Sequence, residues 1–159
     1  MAELAYLSLG SNMGDREVNL REAIAQLKVI GGLVELSSFY ETQPVEVESQ
    51  PWFLNCVAAL KTDKSPRELL KAALSIESGM GRLRLGDKGP RKIDIDLLLF
   101  GDQIINEPGL TVPHPALHER RFVLAPLAEI APAVRHPMLQ KTASELLAAL
   151  GEGQIVRRV

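Results

Sequence analysis

Gly86-Asp-Lys-Gly-Pro-Arg-Lys-Ile-Asp-Ile-Asp-Leu-Leu-Leu-Phe-Gly101 joins a glycine- and cation-bearing loop directly to an apolar run that carries two carboxylates. From Ile93 to Phe100 a period of two predicts Ile93, Ile95, Leu97 and Leu99 on one face of a strand, and Asp94, Asp96, Leu98 and Phe100 on the other. Two acids then sit side by side where the face turns apolar, at the mouth of a buried strand. Their attachment points are about 7 Å apart, two strand rises, close enough to repel when half-buried and close enough to hold one or two divalent cations.

Upstream of this strand, local signals mark five elements. Ala2 to Leu9 is short, apolar and β-prone, and Gly10-Ser-Asn-Met-Gly14 reads as the loop that ends it. Asp15 is a candidate N-cap for a helix whose Leu20, Ala23, Ile24, Leu27 and Ile30 recur at helical spacing, with Gly31-Gly32 as a left-handed stop. Val34 to Tyr40 reads as a second strand and Trp52 to Leu60 as a third. Between them, residues 42–51 form a proline-bounded stretch too long for a hairpin turn, hence a candidate binding loop. Ser65-Pro-Arg-Glu68 is a capping box with proline at the first helical position, followed by Leu69, Ala72, Ala73, Ile76 and Met80 on one helix face. Residues 79–90, with four glycines and a proline, are expected to be a mobile loop before the fourth strand.

The order is βαββαβ, the split βαβ or ferredoxin-like arrangement of an α+β protein, an antiparallel sheet with both helices packed on one face. Downstream, Gln103 to Ile105 could add a short strand. Six prolines from Pro108 to Pro137, Pro126 among them, are expected to break the chain into turns and short helices. Thr142-Ala-Ser-Glu145 caps a last helix through Leu150, and together these make a C-terminal extension. One domain over 1–159 is expected from a length of 159 residues.

A charged fraction of 24% and a net charge of −2 give no electrostatic case for a duplex-binding surface or a membrane patch. No apolar run approaches 18 residues and the first residues lack a leader pattern, so a cytoplasmic protein is expected. The single cysteine, Cys56, lies in the apolar run Leu54 to Leu60 and reads as a buried small hydrophobe.

A metal held by two carboxylates usually completes its shell with water and substrate phosphate. Arg82, Arg84, Lys88, Arg91 and Lys92 lie just before the acids, and Arg120 and Arg121 follow later. Guanidinium forks suit phosphate oxygens and charge that develops during phosphoryl transfer. Neither a P-loop nor a Gly-x-Gly-x-x-Gly motif is present, so nucleotide would be held by metal and side chains. Asn55 interrupts an apolar strand on the face of Phe53 and Val57. Its amide needs partners, either the edge of a flat heterocycle stacked between Phe53 and another ring such as Phe122, or the backbone. His114 in Val112-Pro-His-Pro115 is a candidate phosphate donor.

These residues resemble the 6-hydroxymethyl-7,8-dihydropterin pyrophosphokinase family. The likeness rests on Leu9-Gly-Ser-Asn12, Ser38-Phe-Tyr-Glu-Thr42, Gln50-Pro-Trp-Phe-Leu-Asn55, Ile76-Glu77, Gly89-Pro-Arg-Lys-Ile-Asp-Ile-Asp-Leu97, Leu110-Thr-Val-Pro-His114 and Arg120-Arg-Phe-Val-Leu-Ala-Pro-Leu127. The resemblance implies transfer of the β,γ-pyrophosphoryl group of ATP to the pterin's primary hydroxyl, in folate biosynthesis, with two Mg2+ ions on Asp94 and Asp96. It implies that Arg82 and Arg91 stabilise the transferring charge and that Thr42, Val45, Phe53, Asn55 and Phe122 line the pterin pocket. Glu77, Arg84, Ile95, Thr111, His114 and Arg120 would contact ATP or hold that side of the site. Nucleic acid and membrane are not expected as partners, and a monomer is. Two other readings fit parts of the sequence: a metal-dependent nucleotidyltransferase, from Gly10-Ser11 with Asp-x-Asp, and a non-catalytic binding module on the same scaffold.

Overall fold

The computed structural model describes residues 2–43, 52–81, 92–151 and 153–159. Eight strands and four α-helices follow in the order β1 (Glu3–Ser11), α1 (Arg16–Ile30), β2 (Gly32–Leu36), β3 (Tyr40–Thr42), β4 (Phe53–Thr62), α2 (Pro66–Gly79) and β5 (Asp94–Phe100). The C-terminal part adds β6 (Ile105–Glu107), β7 (Leu110–Val112), a short 3-10 turn at Leu117–Glu119, α3 (Arg121–Ile130), α4 (Ala143–Ala149) and β8 (Val156–Arg158). The main sheet runs β5-β1-β4-β3-β8, with β2 beside β3 along the same edge of β4, and every pairing is antiparallel. This is the α+β, ferredoxin-like βαββαβ core, with β2 and β3 as two halves of one expected strand.

The N-terminal signals for α1, α2 and α4 hold. Asp15 accepts from the Val18 N–H, and Ser65 with Glu68, like Thr142 with Glu145, closes a reciprocal capping box. Each box satisfies two backbone donors that the first helical turn leaves unpaired. No helix among the described residues is long and apolar enough to cross a membrane.

Six expectations are corrected. The first strand does not end at Leu9, because Gly10 and Ser11 pair with Asn55 and Leu54 and extend β1. Gly31 is extended rather than left-handed, and its role is proximity. A Cβ there would lie 2.9 Å from both Leu60 Cγ and the Lys61 carbonyl oxygen, so only glycine lets the end of α1 meet β4 this closely. The run from Val34 to Tyr40 breaks because Ser37 bonds β4 twice, its N–H donating to the Val57 carbonyl and its Oγ accepting from the Val57 N–H. The fourth strand bulges at Leu98, since Tyr6 faces Leu99 while Leu7 faces Leu97. Leu98 and Leu99 therefore both turn toward α3, and Phe100 joins Ile93, Ile95 and Leu97 on the other face. The short strand expected at 103–105 begins at Ile105 and forms a separate hairpin with β7. Pro126 sits inside α3, buried, and does not end it.

The two sheet faces are closed differently. On one, α1 and α2 cover Leu7, Leu9, Cys56, Leu60, Ile93, Ile95 and Phe100 in a continuous apolar core. Burial there pushes the Cys56 thiol up to about 12, which leaves it protonated and inert. On the other, α3 and α4 cover Tyr6, Val57, Ala59, Leu98 and Leu99. Phe53, Asn55, Gly10, Asp94 and Asp96 lie on that second face by strand alternation.

Candidate active site

Cross-strand register assembles the site. One row crosses five strands from Arg158 through Tyr40, Asn55 and Gly10 to Asp94, each residue directly opposite the next. A second row runs from Asp96 through Ser8 to Val57. Strand alternation puts these side chains on the α3 side of the sheet, so the acid pair of β5 and the amide of β4 share a face although 39 residues of sequence separate Asn55 from Asp94.

At the amide end, Asn55 is 4% exposed and Thr42 1%. The Asn55 Nδ2 donates to Thr42 Oγ1 at 2.8 Å. Among the described residues its partner is thus a side chain, not the backbone. The carbonyl half of the amide lies over Gly10, where a Cβ would come within 2.5 Å of Oδ1 and 3.6 Å of the Phe53 ring. Gly10 is a site-shaping residue that the turn-rich string around it disguised; a glycine inside a strand was the available signal. Phe122, at the start of α3, is half-buried against the second apolar cluster, with the Arg120 guanidinium 5.5 Å from its ring centre.

At the acid end, Asp94 and Asp96 are half-buried. Between them, the Ile95 N–H points away from β1 and donates to Glu77 Oε2 at 2.6 Å. Glu77 is 2% exposed on α2, so a buried carboxylate ties the outer edge of β5 at the residue between the acids. The Ile95 side chain lies in the helix-covered core, leaving only its backbone at this edge. The His114 N–H donates to the Leu98 carbonyl, and His114 Nδ1 accepts from the Ala116 N–H, which leaves Nε2 as the nitrogen able to carry a proton outward. Burial holds the His114 imidazole below its usual range; the neighbouring Asp96 carboxylate pulls it up and Arg120 pushes it down. Asp96, His114 and Arg120 thus share one electrostatic environment. Thr111 stands exposed on β7, opposite in alternation to the buried Leu110 and Val112.

Of the expected site residues, Thr42, Phe53, Asn55, Phe122, His114, Arg120, Asp94 and Asp96 lie on or beside the α3-side face, and Glu77 and Ile95 brace it from the edge. Val45, Arg82, Arg84 and Arg91 lie outside the described residues.

Two half-buried carboxylates beside a histidine and an arginine, on one sheet face with a buried amide and a phenyl ring, suit the class: phosphotransfer to a small flat substrate on an α+β scaffold. The chain belongs to the 7,8-dihydro-6-hydroxymethylpterin-pyrophosphokinase (HPPK) family, whose model matches residues 6–132. It is 48% identical over 136 residues to the 2-amino-4-hydroxy-6-hydroxymethyldihydropteridine pyrophosphokinase of Bacillus subtilis, covering 84% of this chain and 81% of that protein. Over 140 residues it is 42% identical to the same-named protein of Aquifex aeolicus, covering 88% of each. The folic acid synthesis protein fol1 of Schizosaccharomyces pombe is 42% identical over 147 residues, 91% of this chain but 20% of that much longer one. Among solved structures, an HPPK-DHPS in complex with substrates superposes with a TM-score of 0.76 at 16% identity, over 94% of this chain and 43% of that chain. That likeness is one of fold.

Proposed function

We infer that this chain transfers the β,γ-pyrophosphoryl group of ATP to the primary hydroxyl of 6-hydroxymethyl-7,8-dihydropterin, forming the pterin diphosphate and AMP in folate biosynthesis. The observation that carries the reading is the single cross-strand row in which Gly10 stands between a carboxylate, Asp94, and a buried, side-chain-bonded amide, Asn55, in a member of this family. The alcohol oxygen attacks the β-phosphorus, the bond from that phosphorus to the α,β-bridging oxygen breaks, AMP departs with the oxygen, and the alcohol proton passes to water.

The amide of Asn55, steadied by Thr42, meets the donor and acceptor edge of the pterin, and Phe53 and Phe122 supply stacking surface, with Val45 completing that end. Buried polar recognition of this kind discriminates strongly, because the wrong heterocycle leaves the amide unpaired. His114 and Arg120 hold nucleotide phosphate, with Glu77, Ile95, Thr111 and Arg84 on the same side. Arg82 and Arg91 offset charge developing on the transferred group.

Among the described residues no group of three or more metal-ligating side chains occurs. A pair of carboxylates is a donor set that suits magnesium, its shell completed by water and phosphate. Asp94 and Asp96 fit two Mg2+ ions, which when bound neutralise phosphate charge and bring its oxygens into line with the alcohol. Residues 1–159 act as one pyrophosphokinase domain, as a monomer in the cytoplasm.

Incubation with ATP, Mg2+ and hydroxymethyldihydropterin is expected to give AMP and pterin diphosphate in equal amounts, and none after chelation. Release of pyrophosphate instead would reassign the chain to nucleotidyl transfer, and no product from either substrate would leave a binding module.

A further inference from the structure

The C-terminal strand bonds to both flanks of residues 44–51. Before that segment, the Gln43 N–H donates to the Ile155 carbonyl at 3.0 Å, the Gln43 carbonyl accepts from Gln154 Nε2, and β8 pairs with β3 through Thr42, Glu41 and Tyr40. After it, the Arg157 guanidinium lies 4.8 Å from the Trp52 ring centre and 3.8 Å from Glu41 Oε1. Arg16 closes the cluster, with Nη2 on Glu41 Oε2 at 3.2 Å and Nη1 donating to the Trp52 carbonyl at 3.0 Å. Trp52 precedes Phe53, and Glu41 precedes Thr42, the hydroxyl that holds Asn55.

β3 has only three residues, and without β8 it would be a sheet edge bonded on one side. Short edge pairings fray readily, so the strand that carries Thr42 owes its order to what covers it. Arg157 links the two flanks in one contact, stacking on the tryptophan of one and pairing with the carboxylate of the other.

We propose that Arg157 of β8 is a positioning residue for the heterocycle end of the site, holding Trp52 and Glu41 together so that Phe53 and the Thr42–Asn55 pair keep their geometry. The inference rests on the pterin reading of that end. It assigns a substrate-specific role to a strand on the far edge of the sheet from the acid pair.

Trp52 is the sole tryptophan, so its emission reads the contact directly. Arg157→Ala is expected to red-shift that emission, to increase its quenching by acrylamide, and to raise KM for the pterin about threefold to fivefold, the scale of one lost exposed cation–π contact with its ion pair. KM for ATP and Tm should stay as in the wild type. Arg157→Lys keeps the charge but loses the planar stack, and should fall between. Arg67→Ala, which removes a surface ion pair with Glu107, should change neither reading. Unchanged emission in Arg157→Ala overturns the contact, and changed emission with unchanged pterin KM overturns the positioning role. Equal rises in both KM values do so as well, since they would mark a general loosening. A wild-type chain that turns over no pterin overturns the functional reading and this one with it, whereas turnover with a silent Arg157→Ala overturns this one alone.

Discussion

The same strands present two unlike faces. Under α1 and α2 the central inward positions of β1, β4 and β5 are apolar, and the buried hydroxyls of Ser11 and Thr62 come only at the last residues of β1 and β4. On the α3 side the apolar cover lies over Tyr6, Val57, Ala59, Leu98 and Leu99, and the end nearest Asp94, Gly10 and Asn55 carries acid, amide and glycine. Burial of the first group holds the sheet on which the second group presents the half-buried acid pair. Chemistry and packing are thereby divided between faces, and substitutions should divide with them.

The largest expected effect is on the open face. Asp94→Ala and Asp96→Ala should each cut turnover by at least about 10³-fold, roughly 4 kcal/mol of transition-state stabilisation, with Tm unchanged or raised as like-charge repulsion is relieved. Steady-state assay with parallel thermal melts checks this, and a Tm collapse in both variants would make the acids structural.

Two glycines sharpen the comparison, because each is needed for a close approach, one on each side. A methyl at Gly31 would meet the Leu60 side chain and the Lys61 backbone, so Gly31→Ala should destabilise by about 1–3 kcal/mol with kcat retained by the folded fraction. A methyl at Gly10 would instead displace the Asn55 amide, so Gly10→Ala should raise KM for the pterin about tenfold with a smaller drop in Tm. Denaturant titration beside kinetics separates them, and equal effects of both variants on both measurements would erase the distinction.

The smallest effect belongs to the covered end of the second face. His136 is 6% exposed, its Nδ1 accepting from the Met138 and Leu139 N–H groups, and its ring lies edge-on to His118 at 6.2 Å. Burial depresses the His136 imidazole, and the neighbouring His118 charge depresses it further. A folded-state value below the unfolded one means that the stabilisation is complete above the unfolded value, about 6.5, and is lost as pH falls below it toward the folded value. Tm should therefore decline between about pH 7 and 5, and His136→Asn, whose carbonyl can accept the same two N–H groups, should flatten that decline. An unaltered slope in His136→Asn would assign it to other groups.

The candidate site was unevenly legible. Asp94 and Asp96 could be paired from sequence because a period of two is a local property of one strand. Asn55 stood out because an amide in an apolar run needs a partner, yet nothing in the sequence names Thr42 as that partner, since the bond crosses strands. Gly10 read as a turn because its neighbours are turn formers. Its place in β1 depends on Asn55 and Asp94 arriving on either side. β8 was not anticipated at all: Val156-Arg-Arg158 is too short for a periodic signal and becomes a strand only through β3.

By itself, then, the sequence determined α1, α2 and α4 with their N-caps, the βαββαβ order and the acid pair, all set by spacings within a few residues. Only the tertiary structure decided the bulge at Leu98, the break that Ser37 makes between β2 and β3, the approach of α1 to Leu60, and the strand that closes the β3 edge. Each of these depends on which backbone groups meet across the sheet. Register is a property of two segments at once, and no single segment contains it.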